Sequence, residues 1–337
     1  MFSTRITRAF GLDTPIVNAG MAMIARPALA AAVSNAGGLG TIGCDINPPE
    51  VLRAMVRETQ IYTGRPFGVD LIGDFVTDAH IGVLIEEKVR LAIFFWTLPN
   101  QEQVDRLKSA GIAIWMQVGG VAEAEAAVAL GVDALIVQGS EAGGHNRSEA
   151  STMVLFPRLR RAYPDLPLIA SGGIAEGSTM AAALALGADA VWCGTRFLAS
   201  REAHAHDLFK KAVVEADVGD TRITTIYGPE WPDQAMRAIV NDGLQRAEGR
   251  EAEAIGEAQG VMVGTTLLNG ERIPVPRYSA ILPTREFEGD IEQVCLTAGQ
   301  SSGNIDDLPT AGEIVARMDR EATAAIDRVS SLLGEPA

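Results

Sequence analysis

Eight short apolar runs separated by helix-like stretches constrain this chain more than any other feature. They lie at residues 15–19, 39–43, 67–72, 91–96, 112–118, 134–138, 168–171 and 190–193. Most are rich in Val, Ile or Phe, as expected of parallel strands buried on both faces. The intervening segments carry helix punctuation. Pro27 opens a helix over 27–35 that stops before Gly37-Gly38. Residues 49–59 place Val51, Leu52, Met55 and Val56 at helical spacing. The segments 101–110, 121–130 and 178–186 run into Gly111, Gly131 and Gly187, each a typical helix stop.

One unit repeats visibly. Leu130-Gly131-Val132-Asp133-Ala134 returns as Leu186-Gly187-Ala188-Asp189-Ala190, a weak internal βα repeat. Strands alternating with helices eight times predict an α/β fold, a (β/α)8 (TIM) barrel. The alternative is a doubly wound open sheet, which usually needs fewer strands. The barrel core falls in residues 1–200. A helix is expected over 202–216, and 217–295 reads as an inserted lid or small subdomain after strand eight. Within it, 227–277 is Gly- and charge-rich, with a helical patch near 234–240. Residues 296–337 form a C-terminal segment whose helix, 308–333, packs back on the barrel. Thr310 can cap that helix, Glu313 sits at capping-box spacing, and Ile314, Met318 and Ile326 lie on or near one face.

Charge and cysteine content narrow the class. A formal net charge of -15 without basic clusters argues against nucleic-acid binding. No apolar run reaches membrane-spanning length, and residues 1–11 lack a signal-peptide core. Cys44, Cys193 and Cys295 are widely spaced, which argues against zinc and disulfides and fits a reduced, cytoplasmic protein. Cys193, inside a strand, reads as inert packing.

Active sites of such barrels lie at the C-terminal strand ends, with phosphates commonly held after strands seven and eight. Those loops are Ser171-Gly172-Gly173-Ile174 and Gly194-Thr195-Arg196. Glycines let backbone N–H groups approach a phosphate, and Ser171 and Thr195 add hydroxyl donors. Arg196 either adds charge or braces its loop. After strand one, Asn18-Ala19-Gly20-Met21-Ala22 offers a small-residue turn for a flat ring. Asp70, Gln117 and Gln138 end other strands and can bond a heterocycle's polar edge. The set suits a flavin mononucleotide (FMN) better than a sugar phosphate.

Strand six ends in Gly139-Ser140-Glu141-Ala142-Gly143-Gly144-His145. His145 is the expected proton-handling or substrate-positioning group, because its ordinary pKa lies near neutrality. Glu141 reads as structural. His204 and His206, two apart in an expected helix, would face different ways and make no metal site.

At these residues the chain resembles the nitronate monooxygenase family, formerly called 2-nitropropane dioxygenases. The resemblance rests on Pro15-Ile16-Val17 with Gly20-Met21, on residues 30–40 (AAAVSNAGGLG), and on Pro66-Phe67-Gly68-Val69. It continues through 138–145, 169–174, Gly187-Ala188-Asp189-Ala190 to Phe197-Leu198, and Ala298-Gly299-Gln300 with Asp307-Leu308-Pro309. It implies FMN held by Gly20, Met21, Ala22, Gln117, Ser171, Gly172, Gly173, Gly194 and Thr195, with Gln300 near the flavin edge. Gly143 and Gly144 belong to the same expected site. It also implies that His145 is catalytic and that a nitronate or nitroalkane is oxidised with O2 to a carbonyl compound and nitrite. The same loops would serve an NAD(P)H-dependent quinone or enoyl-thioester reductase, the alternative activity of the family. Gln117, where some quinone reductases carry Lys, favours the monooxygenase. Two departures stand out: Asp70 replaces the family's usual Asn, and Asn146-Arg147-Ser148 replaces a Gly-containing continuation. A phosphosugar isomerase or aldolase would want a Lys or paired carboxylates at strand ends. A non-catalytic FMN module is the remaining class. The expected partners are small molecules, in a monomer or homodimer.

Overall fold

The computed structural model describes residues 2–229, 231 and 234–333. All eight expected strands form, at Ile16–Asn18, Gly40–Gly43, Phe67–Ile72, Leu91–Phe95, Ala113–Val118, Ala134–Gln138, Leu168–Ser171 and Ala190–Cys193. We number them one to eight. Every neighbouring pair is parallel, and strand one pairs with strand eight through Ile16–Val191, Val17–Trp192 and Asn18–Cys193. A single parallel bridge, Val17 to Leu39, joins strands one and two and closes the (β/α)8 barrel. The strands bury almost completely because helices cover their outer faces while side chains fill the interior.

Two cores result. Inside the barrel, Val17, Leu39, Leu91, Ile93, Trp115, Ile136, Ile169 and Trp192 pack together. The N-terminal residues add a plug that the sequence reading leaves without structure. Helix Arg5–Phe10, capped by Thr4 and ended by Gly11, brings Ile6 and Phe10 onto this core. Phe10 meets Trp115 edge-on at 5.5 Å. The outer core fills the space between strands and helices.

The repeated Gly-x-Asp has a physical cause. Gly131 and Gly187 take left-handed φ values of 85° and 98°, which end their helices. Asp133 then accepts the Ile114 N–H at 2.8 Å, and Asp189 accepts the Leu168 N–H at 3.0 Å. Each carboxylate satisfies a backbone donor at the start of the preceding strand. Asp189 also pairs with Arg5 (2.9 Å) and Arg160 (2.8 Å).

Beyond the barrel, two expectations are corrected. The patch at 234–240 is not helical: Met236–Ile239 is a strand between Thr221–Thr224 and Gly144–His145, antiparallel to both. The helix expected over 202–216 spans only Asp207–Glu215, because the His206 side chain caps it. A second small sheet joins Met262–Leu268 to Glu271–Pro276 and Glu288–Gly289. Helix Ala311–Ser330 forms with the Thr310–Glu313 capping box. It crosses helix Gly177–Ala185 so closely that a Cβ on Gly177 would fall 2.3 Å from the Ala322 nitrogen. No helix among the described residues is long and apolar enough to cross a membrane.

Candidate functional site

The C-terminal strand ends open onto one cavity of about 270 Å³. Its walls include Gly20, Met21, Ala22, Asp70, Gln117, Gln138, Gly143, Gly144, His145, Ser171, Gly172, Gly173, Gly194 and Thr195, so the structure brings together every residue the sequence nominated but one. Gln300 is exposed to solvent and spends its N–H on the Glu141 carbonyl at 2.9 Å. Ser301 and Thr297 of the same segment reach the wall instead.

The loops after strands seven and eight form a bare cradle. Gly172 and Gly173 have φ of 100° and 74°, conformations that L side chains rarely adopt. A Cβ on Gly173 would meet nothing nearer than 3.8 Å, and one on Gly194 nothing nearer than 3.6 Å. Such carbons would occupy cavity space rather than clash with protein. Thr195 Oγ1 accepts the Gly299 N–H at 2.9 Å, leaving its own proton to donate. Arg196 takes the bracing role. It is buried, and its guanidinium donates to the Asp307 carboxylate at 3.0 Å and to the carbonyls of Ala199 and Asp307. No Lys or Arg lines the cavity among the described residues, so backbone N–H groups and hydroxyls are the cradle's donors.

Beside the cradle, the strand-six turn is held from three sides. Gly143 packs so tightly that a Cβ would lie 2.4 Å from the Ala298 carbonyl carbon. Glu141 accepts from the backbone and hydroxyl of Thr152 at 3.0 to 3.1 Å. The single Thr152 hydroxyl proton faces Glu141 and the carbonyls of Ser171 and Gly172 at 3.0 to 3.1 Å, so it ties the turn to the cradle whichever acceptor takes it. Glu141 is therefore structural, as expected. Arg237 Nε and Nη2 donate to the Ser140 carbonyl at 3.1 and 3.0 Å. Gln138 donates to the His145 carbonyl at 3.1 Å, and His145 itself pairs with Met236.

His145 thus sits on a rigid element. Its ring lies edge-on to Trp96 at 4.4 Å, with Phe95 and Trp231 at 6.5 and 6.4 Å. Burial in this aromatic wall depresses its pKa to about 4, against a smaller opposing effect of a backbone hydrogen bond with Gln234. The imidazole is neutral near pH 7, and no protein group satisfies Nδ1. It can accept or donate a hydrogen bond but carries no charge there.

The third wall is acidic. Asp70 and Asp45 both line the cavity. Burial pushes Asp70 up to about 8, with the Asp45 charge adding to the effect. Burial also raises Asp45, to about 6, although Arg26 pairs with it at 3.0 Å. Sequence reasoning missed Asp45, Trp96 and Trp231. Asp45 and Trp96 adopt φ of 56° and 68°, unusual for residues other than Gly, and no local signal announces this.

The three other histidines are occupied. His204 pairs with Glu286 at 2.8 Å, His206 caps its helix, and His80 bonds Thr77 and the Asn47 carbonyl. Burial holds the thiols of Cys44 and Cys193 near 12, so they are inert at neutral pH. No group of three or more His, Cys, Asp or Glu side chains placed to hold a metal ion exists among the described residues.

At the strand ends of this closed barrel, a glycine cradle and a half-buried histidine share one cavity. The chain belongs to the nitronate monooxygenase family, which it matches over residues 3–76 and 73–321, and it is an oxidoreductase. It is 31% identical to (3aS,4S,5R,7aS)-5-hydroxy-7a-methyl-1-oxo-octahydro-1H-indene-4-carboxyl-CoA dehydrogenase of Rhodococcus jostii, covering 98% of each chain. It is 30% identical to the nitronate monooxygenase of Paraburkholderia phytofirmans, covering 95% of each. Among solved structures, FabK from Thermotoga maritima superimposes with a TM-score of 0.82 at 32% identity, over 99% of this chain and 100% of that one. Nitroalkane oxidase from Streptomyces ansochromogenes gives 0.78 at 27% identity, over 96% and 99%.

Proposed function

We propose that this protein is an FMN-dependent nitronate monooxygenase, oxidising nitronates or nitroalkanes with O2 to a carbonyl compound and nitrite. Flavin dependence is general in the family. The cradle supports the mononucleotide: it consists of two adjoining glycine loops, and a Cβ on Gly173 or Gly194 would meet no protein atom nearer than 3.6 Å. Ser171, Gly172, Gly173, Gly194 and Thr195 would hold that phosphate, and Gly20, Met21 and Ala22 would lie against the ring. Bound FMN would take electrons from the nitronate and pass them to O2.

The observation that carries this reading is the neutral, part-unsatisfied imidazole of His145 inside an apolar wall. A neutral imidazole can hydrogen-bond nitro oxygens or accept the α-proton of a neutral nitroalkane through its lone pair. Trp96, Trp231 and Phe95 give it an apolar surround that would suit an alkyl group. The strand pairing with Met236 fixes the ring's backbone, so orientation is set before substrate arrives.

A second reading has its own support. The full-length similarity to a carboxyl-CoA dehydrogenase supports a thioester as substrate, and with it the alternative of an NAD(P)H-dependent enoyl-thioester reductase. Anaerobic mixing separates the two. Loss of flavin absorbance on adding a nitronate without NAD(P)H supports the monooxygenase; loss only with NADH or NADPH supports the reductase.

A further inference from the structure

We propose that Asp70 meets the bound cofactor as a neutral carboxylic acid, donating its O–H to an acceptor on the isoalloxazine ring, and that loss of this proton weakens cofactor binding. The proposal rests on the flavin reading above. Asp70 aligns with Gly43 on strand two and Ile93 on strand four, at the strand end that opens into the cavity. The backbone of Gly20 is packed onto it: a Cβ there would fall 2.1 Å from the Asp70 Cβ. Asp70 Oδ1 is buried and has no hydrogen-bond partner. A buried carboxyl oxygen without a donor is costly as an anion and much less so as part of a neutral acid.

The groups around Asp70 make the anion worse. From the loop after strand two comes Asp45, and beside it the Cys44 thiol, itself held protonated. Arg26 is the nearby cation, and it is committed to Asp45 at 3.0 Å and to the Gly43 carbonyl at 3.4 Å. The turn Gly20–Met23 and strand four, Leu91–Phe95, contain no titratable side chain. Gln117 on strand five is neutral, and His145, from the strand-six turn, is held neutral by burial. An ionised Asp70 would therefore stand next to a second carboxylate with only the Leu71 backbone N–H to offset it. Burial and the Asp45 charge both raise its pKa, in agreement with the geometry. An acid at this place adds a side-chain O–H donor to a wall that also carries the Gln117 amide and the Trp96 indole N–H. The polar edge of an isoalloxazine, with its carbonyl oxygens and ring nitrogens, supplies the acceptor.

The test titrates FMN binding by fluorescence quenching between about pH 7 and 9, where the free phosphate is already largely dianionic. The dissociation constant of the unaltered protein should rise up to about tenfold per pH unit once Asp70 ionises. Asp70→Asn, isosteric and permanently able to donate, should bind FMN with a flat profile across the same range. Asp45→Asn, lacking the neighbouring charge, should move the onset to lower pH. Difference infrared spectra should carry a protonated carboxylic C=O band that Asp70→Asn removes. A flat profile in the unaltered protein, an unmoved onset in Asp45→Asn, or a slope that survives Asp70→Asn would each overturn the proposal while leaving the flavin reading intact. No FMN binding at any pH would overturn both.

Discussion

Burial keeps the His145 imidazole neutral down to about pH 4. Its chemistry is therefore that of a hydrogen-bonding or proton-accepting group, never of a resident cation at working pH. Two outcomes follow at the scale of this residue. His145→Ala should keep FMN affinity within about threefold, because the cradle is built from Ser171, Gly172, Gly173, Gly194 and Thr195 and not from the imidazole. Turnover, measured as O2 uptake with a nitronate, should fall by about 10²–10⁴, the usual contribution of a positioned acid–base group. Retained turnover would remove His145 from the chemistry. The activity of the unaltered enzyme should also show no acid limb near pH 6.5 from this ring; any His145-dependent loss should come near pH 4. The glycines and the histidine were legible because a Gly-Gly-His turn and two glycine loops at strand ends are local patterns. Asp45, Trp96 and Trp231 were not. Each joins the cavity through a loop path that no short-range residue pattern specifies, two of them in left-handed conformations without glycine.

At the scale of elements, the barrel was readable strand by strand because each strand is a short apolar run buried on both faces. The strand Met236–Ile239 was misread for an equally physical reason. Its Met, Arg and Ala residues have good helix propensity, yet pairing with Thr221–Thr224 on one edge and Gly144–His145 on the other overrides it. This strand connects the lid region to the histidine. From it, Arg237 reaches Ser140 with two hydrogen bonds and Thr221 Oγ1 with a third at 3.0 Å. Arg237→Leu should lower stability by about 1–3 kcal/mol, because the Ser140 carbonyl loses a charged donor. It should also reduce kcat more than FMN affinity, because the turn carrying His145 loosens while the cradle stays. Urea unfolding and FMN titration of the same variant check both halves. An equal loss of FMN affinity would mean that turn and cradle move as one body through Thr152, which bonds both.

For the whole molecule, the two ends of the barrel do different work. The N-terminal end is closed by Phe10 against Trp115 and by the Asp133 and Asp189 carboxylates, all satisfied. The other end holds Asp70 and His145, each with an unsatisfied atom and a displaced pKa. That asymmetry makes the stability of the cofactor-free protein depend on pH in a specific way. Asp70 keeps its proton in the folded state up to about pH 8, whereas the unfolded chain releases it near the ordinary 3.8. Its contribution is present below the unfolded value and is lost as pH rises through the folded one. His145 acts oppositely: its folded pKa is depressed from 6.5 to about 4, so its contribution is lost as pH falls across that interval. Asp45 titrates near 6 in the folded state and adds little to the slope above that. Between pH 6.5 and 8 the Asp70 effect therefore stands alone among these three. The urea midpoint of the cofactor-free protein should decline over that window, with a slope of at most about 1.4 kcal/mol per pH unit. Asp70→Asn should abolish the decline and leave the acid-side loss from His145 in place. If the slope persists in that variant, some other group changes its proton affinity on folding, and the destabilising charge is not at the cavity.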